Sequence, residues 1–120
     1  MICLLCNKET YVKILRKLGI KYSIPPPILP IFILKLLSKR PMHGYQITEE
    51  LAKLADTKIP RQIVYFILKK YENAGVVKST WVVEDESKPK KKYFITEEGK
   101  SFLKNRIEHL KRLISLLEEI

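Results

Sequence analysis

Arg61, Gln62, Tyr65, Lys69 and Asn73 fall on one arc of a helix-periodic stretch, residues 59–75. Their side chains are long or planar and rich in donors, the types that reach phosphate oxygens and base edges. The opposite arc is apolar: Val64, Ile67, Leu68, Tyr71 and Ala74. Pro60 stands where a first helical turn tolerates it, and Gly75 where a helix commonly ends. Such a helix turns one face to a core and the other to a partner. By itself the segment favours an ordinary surface helix with a solvated polar face; the residues after Gly75 shift the balance.

Beyond Gly75 the period changes from helical to alternating. Residues 76–83 are β-branched and aromatic, the signature of a strand, and Tyr93-Phe94-Ile95 is the expected antiparallel mate. Between them, residues 84–92 are polar and charged, with Pro89 as a turn residue and Lys88, Lys90, Lys91 and Lys92 at the expected tip. Upstream, residues 30–38 form a compact helix, apolar nearly all round and therefore central. Residues 39–42 make a tight connection. A second helix from about His43 to Ala55 is expected to bury Tyr45, Ile47, Leu51 and Leu54, and residues 55–58 link it to the third. Three helices followed by a lysine-tipped hairpin is the order of a winged helix-turn-helix, with the third helix in the major groove and the hairpin along the backbone. The predicted fold class is mostly α with a small β-hairpin wing and a long C-terminal helix. In that frame Arg61 and Gln62 approach base edges, because both form paired hydrogen bonds. Tyr65 and Lys69 hold the backbone, and the wing lysines meet phosphates as point charges. Tyr45 and Lys58 complete the candidate DNA contacts. Trp81 lies on the wing strand, where packing of the wing is its expected role.

Thr96 is the expected N-cap of the last helix, with Glu97 and Glu98 in its first turn. Leu103, Ile107, Leu110, Ile114 and Leu117 alternate spacings of four and three, the seam of a helix–helix contact. Leu113, Leu116 and Ile120 add a second stripe. One stripe suffices to dock on the domain; two imply a further partner, and a homodimer through Leu103, Ile107, Leu110, Leu113, Ile114 and Leu117 is the economical reading. A single wide core face is the alternative. Residues 1–24 read as a basic N-terminal helical extension, 25–95 as the DNA-binding domain and 96–120 as the dimerisation helix. Within the extension Tyr11, Ile14, Leu15 and Leu18 form the apolar side, expected to pack on the domain or a sister subunit. Cys3 and Cys6 are a lone Cys-x-x-Cys. A zinc site needs four ligands and no second pair exists, so they read as small buried hydrophobes and no metal or cofactor is expected.

The 120 residues bound one domain, and 46% hydrophobic content with clear periodicity indicates a folded chain. A net charge of +10 favours a polyanion, either nucleic acid or an anionic membrane surface. Residues 24–37 are apolar but contain four prolines and Lys35, so they are read as buried rather than membrane-spanning. No signal-peptide pattern opens the chain, and a cytoplasmic location is expected. His43 and His109 have no cysteine or carboxylate arrangement around them and no glycine-rich phosphate loop exists, so an enzyme is not expected and both histidines read as structural. The second functional reading is an architectural protein that coats DNA through phosphates. RNA binding fits less well, because the aromatics stand at core spacing.

Three blocks carry a family resemblance. Pro41-Met42-His43-Gly44-Tyr45-Gln46-Ile47 resembles the Pro-Leu-His-Gly-Tyr-Glu-Ile segment of PadR transcriptional regulators. Residues 65–75, Tyr-Phe-Ile-Leu-Lys-Lys-Tyr-Glu-Asn-Ala-Gly, resemble that family's recognition helix, and residues 90–99 resemble the end of its wing. The match covers about residues 30–103. Members usually have Ser-Pro-Gly-Ser/Thr before the recognition-helix Tyr and Pro after it; here those places hold residues 60–64 and Phe66. The base-contacting end is therefore this chain's own. The resemblance implies a dimeric winged-helix repressor or regulator acting on double-stranded DNA, with the long last helix and the N-terminal region sharing the dimer interface. Some members bind flat aromatic effectors there; none is assigned to this chain.

Overall fold

The computed structural model describes residues 13–14, 16–19, 24–25, 27–84 and 88–120. In chain order its main elements are α1 (Leu29–Lys39), β1 (Met42–His43), α2 (Gly44–Ala55), α3 (Arg61–Asn73), β2 (Val77–Val82), β3 (Lys90–Ile95) and α4 (Glu97–Glu119). Ahead of them Lys13, Ile14, Arg16 and Lys17 are helical. Ile14 and Leu18 are exposed there, so these two do not pack on the chain's own domain. Cys3, Cys6, Tyr11 and Leu15 lie outside the described residues.

α1 is the centre of the core. Pro30 is accommodated in its first turn, where the missing N–H costs nothing. Leu29, Ile31, Ile33, Leu34 and Leu37 are buried, and the helix packs against α2, β3 and α4. Ile47 and Leu51 of α2, Val64 and Leu68 of α3, Val77 of β2 and Tyr93 of β3 close around it. Each aliphatic side chain removed from water contributes about 1.5–3 kcal/mol. In α2, Tyr45 and Leu54 are exposed, contrary to expectation, and Gly44 and Ala55 take buried positions on that helix.

Both ends of α3 arise from local chemistry. Pro60 caps the start in an extended conformation. At the other end Gly75 adopts φ 81°, which lets its N–H reach the Glu72 carbonyl at 3.1 Å and the Val76 N–H reach the Tyr71 carbonyl at 3.0 Å. That pair of bonds satisfies the last carbonyls and turns the chain into β2.

The sheet is antiparallel with strand order β1-β3-β2, one strand more than the expected hairpin. Met42 pairs with Tyr93, where the sequence suggested only a connection, and His43 with Lys92, where it suggested the start of a helix. Met42 and His43 are buried, and pairing supplies partners for backbone groups that burial would otherwise strand. β3 also begins earlier than expected. Lys90, Lys91 and Lys92 pair with Val82, Trp81 and Thr80, so these three lysines belong to a strand and not to a loop tip. Long aliphatic stems let consecutive lysines pair through the backbone while keeping their charges at the surface.

Thr96 caps α4: its Oγ1 accepts from the Gly99 N–H at 3.0 Å and donates to the Gly75 carbonyl at 2.7 Å. The Val76 carbonyl, which accepts from the Thr96 N–H at 3.1 Å, lies so close to Gly99 that a Cβ there would overlap it. Along α4, Leu103 is buried and Ile107 and Leu110 pack against the chain's own core. Leu103 is thereby part of the chain's own core. Leu113, Ile114, Leu116, Leu117 and Ile120 stay exposed. Among the described residues no helix is long and apolar enough to cross a membrane.

Candidate nucleic-acid interface

Lys58, Arg61, Gln62, Tyr65 and Lys69 line one open groove of ≈ 900 Å³, with Thr48, Glu49 and Ala52 of α2 and Phe66 of α3 completing its walls. All five are exposed. Positions 61, 62, 65 and 69 share a helix face because they recur at helical spacing, and Lys58 reaches the same groove from the turn that joins α2 to α3. The first turn of α3 contains no acidic residue and its N-cap makes no side-chain bond. The positive end of the helix dipole therefore adds to the cationic side chains.

Tyr65 is held in place by α2. Its ring lies so close to Gly44 that a Cβ there would overlap the aromatic carbons and hydroxyl. The glycine of the first sequence block and the tyrosine of the second are thus two sides of one contact. Tyr45, on the next residue of α2, stacks on the His43 ring at 5.7 Å and carries the Lys90 ammonium 5.0 Å above its own ring. Lys91 and Lys92 are engaged differently. The Lys91 ammonium is 3.8 Å from Glu72 of α3, and that of Lys92 is 3.3 Å from Glu84. Lys88 is exposed just before β3. The candidate contacts thus separate into five at the groove, a Tyr45–Lys90 pair beside it, two lysines tied to carboxylates, and Lys88 near the wing's end.

His43 organises the seam between α2 and the sheet. It is 3% exposed; Nδ1 lies 3.2 Å from the Lys91 carbonyl and Nε2 3.4 Å from the Glu84 carboxylate, while its backbone N–H donates to Gln46 Oε1 at 2.8 Å. Hydrogen bonding to His43 first, and to Lys92 second, holds the Glu84 carboxyl below its ordinary value. Across the sheet, Ser79 Oγ donates to Glu72. Burial, reinforced by the Glu72 charge, pushes the Tyr93 phenol up. His109 is exposed on α4. Among the described residues no group of three His, Cys, Asp or Glu side chains gathers to hold a metal ion.

Four features were not read from the sequence as parts of a site. Thr48, Glu49 and Ala52 recur at helical spacing on α2, a signal that points to a shared face without saying what lies opposite. Phe66 is exposed between the groove and the Lys70 ammonium, 4.8 Å from its ring. Glu72 gathers Ser79 and Lys91. Trp81, expected to pack the wing, is 69% exposed.

Residues 33–105 match the family model of the transcriptional regulator PadR-like family. A Thermoplasma acidophilum protein assigned as a transcriptional regulator is similar in structure, 30% identical with a TM-score of 0.69, over 78% of this chain and 90% of that one. A PadR family regulator from Eggerthella lenta superposes with a TM-score of 0.75 at 23% identity, over 92% and 95% of the two chains, which speaks to the fold. Bacillus subtilis PadR, solved in complex with operator DNA, is 28% identical with a TM-score of 0.62, over 69% of this chain and 48% of that one. No curated protein matches the sequence.

Proposed function

This chain belongs to the transcriptional regulator PadR-like family, and on that premise we propose that it is a sequence-selective, double-stranded DNA-binding repressor that works as a homodimer in the cytoplasm. α3 enters the major groove and the wing runs along the backbone. The observation that carries this reading is the convergence of Lys58, Arg61, Gln62, Tyr65 and Lys69 on one exposed groove at the start of α3. The similar Bacillus subtilis protein binds operator DNA, which supports the same class of partner here.

Arg61 and Gln62 are the base readers, since each can form two parallel bonds to a guanine or an adenine edge. Lys58, Tyr65 and Lys69 fix the register through phosphates. On the wing, Lys88 and Lys90 take the phosphate contacts, with Tyr45 beside Lys90. Lys91 and Lys92 contribute less, because Glu72 and Glu84 already offset their charge.

Selection from a random duplex pool, followed by affinity measurements on the selected and a scrambled duplex across a salt series, tests this. An enriched palindrome is expected. Arg61→Ala and Gln62→Ala should each lower discrimination by about 1–3 kcal/mol per base pair read. Lys88→Ala and Lys90→Ala should weaken both duplexes alike and flatten the salt slope by about one unit each. No enrichment, with equal losses on both duplexes for Arg61→Ala and Gln62→Ala, would establish the alternative, an architectural protein that coats DNA through its +10 charge.

A further inference from the structure

Trp81 is the one tryptophan of the chain, and its indole stands out from the wing at 69% exposure. A single exposed aromatic is ordinary on a protein surface; its position is what carries weight. Side chains along a strand alternate between faces, so Trp81 shares a sheet face with Ser79 and Val77. Lys91, directly opposite Trp81, lies on that face too. Ser79 and Lys91 are both bound to Glu72 of α3. This face of the wing is thus joined to α3 at Glu72. On α3, Tyr65, Lys69 and Glu72 succeed one another at spacings of four and three, a continuous row. The row leads from the groove to Glu72, continues through Lys91, and ends at the indole, whose centroid is 5.9 Å from the Lys91 ammonium.

We propose that Trp81 is a DNA-contacting residue of the wing, its ring lying against a deoxyribose of the duplex held by α3 and its Nε1–H reaching a phosphate oxygen. The proposal rests on the DNA-binding reading above and adds a contact that no lysine can make. An indole offers a flat face for sugar C–H groups and, at its edge, one N–H donor for a phosphate oxygen. The net charge of +10, and the row that runs from the basic groove to the indole, favour an anionic occupant over a neutral or basic protein surface. Glu72 fixes Lys91, and Lys91 sets the flank against which the ring stands.

The contact is sequence-tolerant and uncharged, which gives it a signature distinct from both base readers and lysines. Because the chain holds a single tryptophan beside six tyrosines, fluorescence excited beyond the tyrosine absorption band reports on this side chain alone. Titrating the full-length chain with duplex should change the emission with the same isotherm as binding, and the complex should shield the indole from acrylamide. Trp81→Ala should weaken selected and scrambled duplexes alike by about tenfold, within the range of interface aromatics. The slope of affinity against salt should stay unchanged, whereas each lost lysine contact lowers it. Trp81→Phe should recover most of the loss. Unchanged circular dichroism of the variants checks that the fold is intact. A wild type that binds duplex while its indole stays equally open to acrylamide, or a Trp81→Ala chain of full affinity, overturns this inference and leaves the DNA reading standing. Dissociation of a dimer by Trp81→Ala overturns it in favour of self-association. A wild type that binds no duplex at all sinks both.

Discussion

The two halves of α4 carry the same apolar spacing and meet opposite surroundings. Leu103 is 6% exposed, and Ile107 and Leu110 pack on the core beside α1. Farther along the same seam, Leu117 is 71% exposed, and Leu113, Ile114 and Leu116 stand in solvent with it. Periodicity states which residues share a face of a helix and is silent about what covers that face. The first half is covered because Thr96 and Gly99 lock the start of α4 onto the Gly75–Val76 turn, which brings Leu103 over the core. Nothing in the chain's own described residues reaches the second half in the same way. A contiguous strip of exposed aliphatic side chains on a basic domain is a surface that a second copy would cover, and we propose it as the contact of the proposed homodimer.

The contrast is broken most completely by removing the outer stripe. Ile114→Glu with Leu117→Glu should turn a dimer into a folded monomer, read by sedimentation, with circular dichroism and melting of the monomer little changed. Both positions avoid Leu110, which packs on the core, so loss of the dimer is not confounded by loss of the fold. A double variant that sediments as an intact dimer would place the interface elsewhere. On the inner half, Leu103→Ala should cost about 2–5 kcal/mol through lost burial and the cavity left behind. A chemical denaturation series should record that loss, and a cost below that of an exposed leucine would deny Leu103 its place in the core.

The smallest effect sharpens the comparison through pH. Tyr71 of α3 meets Phe102 of the inner half of α4 edge-on, ring centroids 6.1 Å apart. Burial pushes its phenol above the ordinary value of 10.0, although the nearby Arg106 pulls the other way; Tyr93 is raised by burial as well. A raised pKa means that the fold holds the proton more tightly than the unfolded chain does. Its stabilising share is complete below the ordinary value of 10.0 and is lost as pH rises through the native value. Melting temperature should therefore decline on the alkaline side of 10.0, and Tyr71→Phe should reduce the decline. Since the outer half of α4 contains no such group, the double glutamate variant should show the same alkaline slope as the wild type. A flat profile in that range would mean that neither phenol is held more tightly by the fold.

Much of α3 was legible in the sequence. Val64 and Leu68 are buried, Arg61, Gln62, Tyr65 and Lys69 are exposed, and Gly75 ends the helix, all as its periodicity and punctuation indicate. The Thr96 cap was legible for the same reason. These signals arise within a turn or two of chain, where φ, hydrogen bonding and side-chain spacing act without help from the rest of the fold. The lysine run misled because composition was read as loop. Pairing with β2 supplies backbone partners that composition alone does not reveal, so Lys90, Lys91 and Lys92 became strand.

What the sequence by itself determined, then, is the set of faces: which residues travel together on a helix or strand, and where each element begins and stops. Tertiary structure alone decided what each face meets. Gly44 matters because the Tyr65 ring arrives there from another helix, and Gly99 because the Val76 carbonyl does. Leu103 is core and Leu117 is surface although one seam carries both. Trp81 is exposed on a strand whose alternation suited packing equally well. Local preferences are governed by bonds and neighbours a few residues apart. Burial depends on which distant segment happens to be brought alongside, and one chain's periodicity holds no record of that.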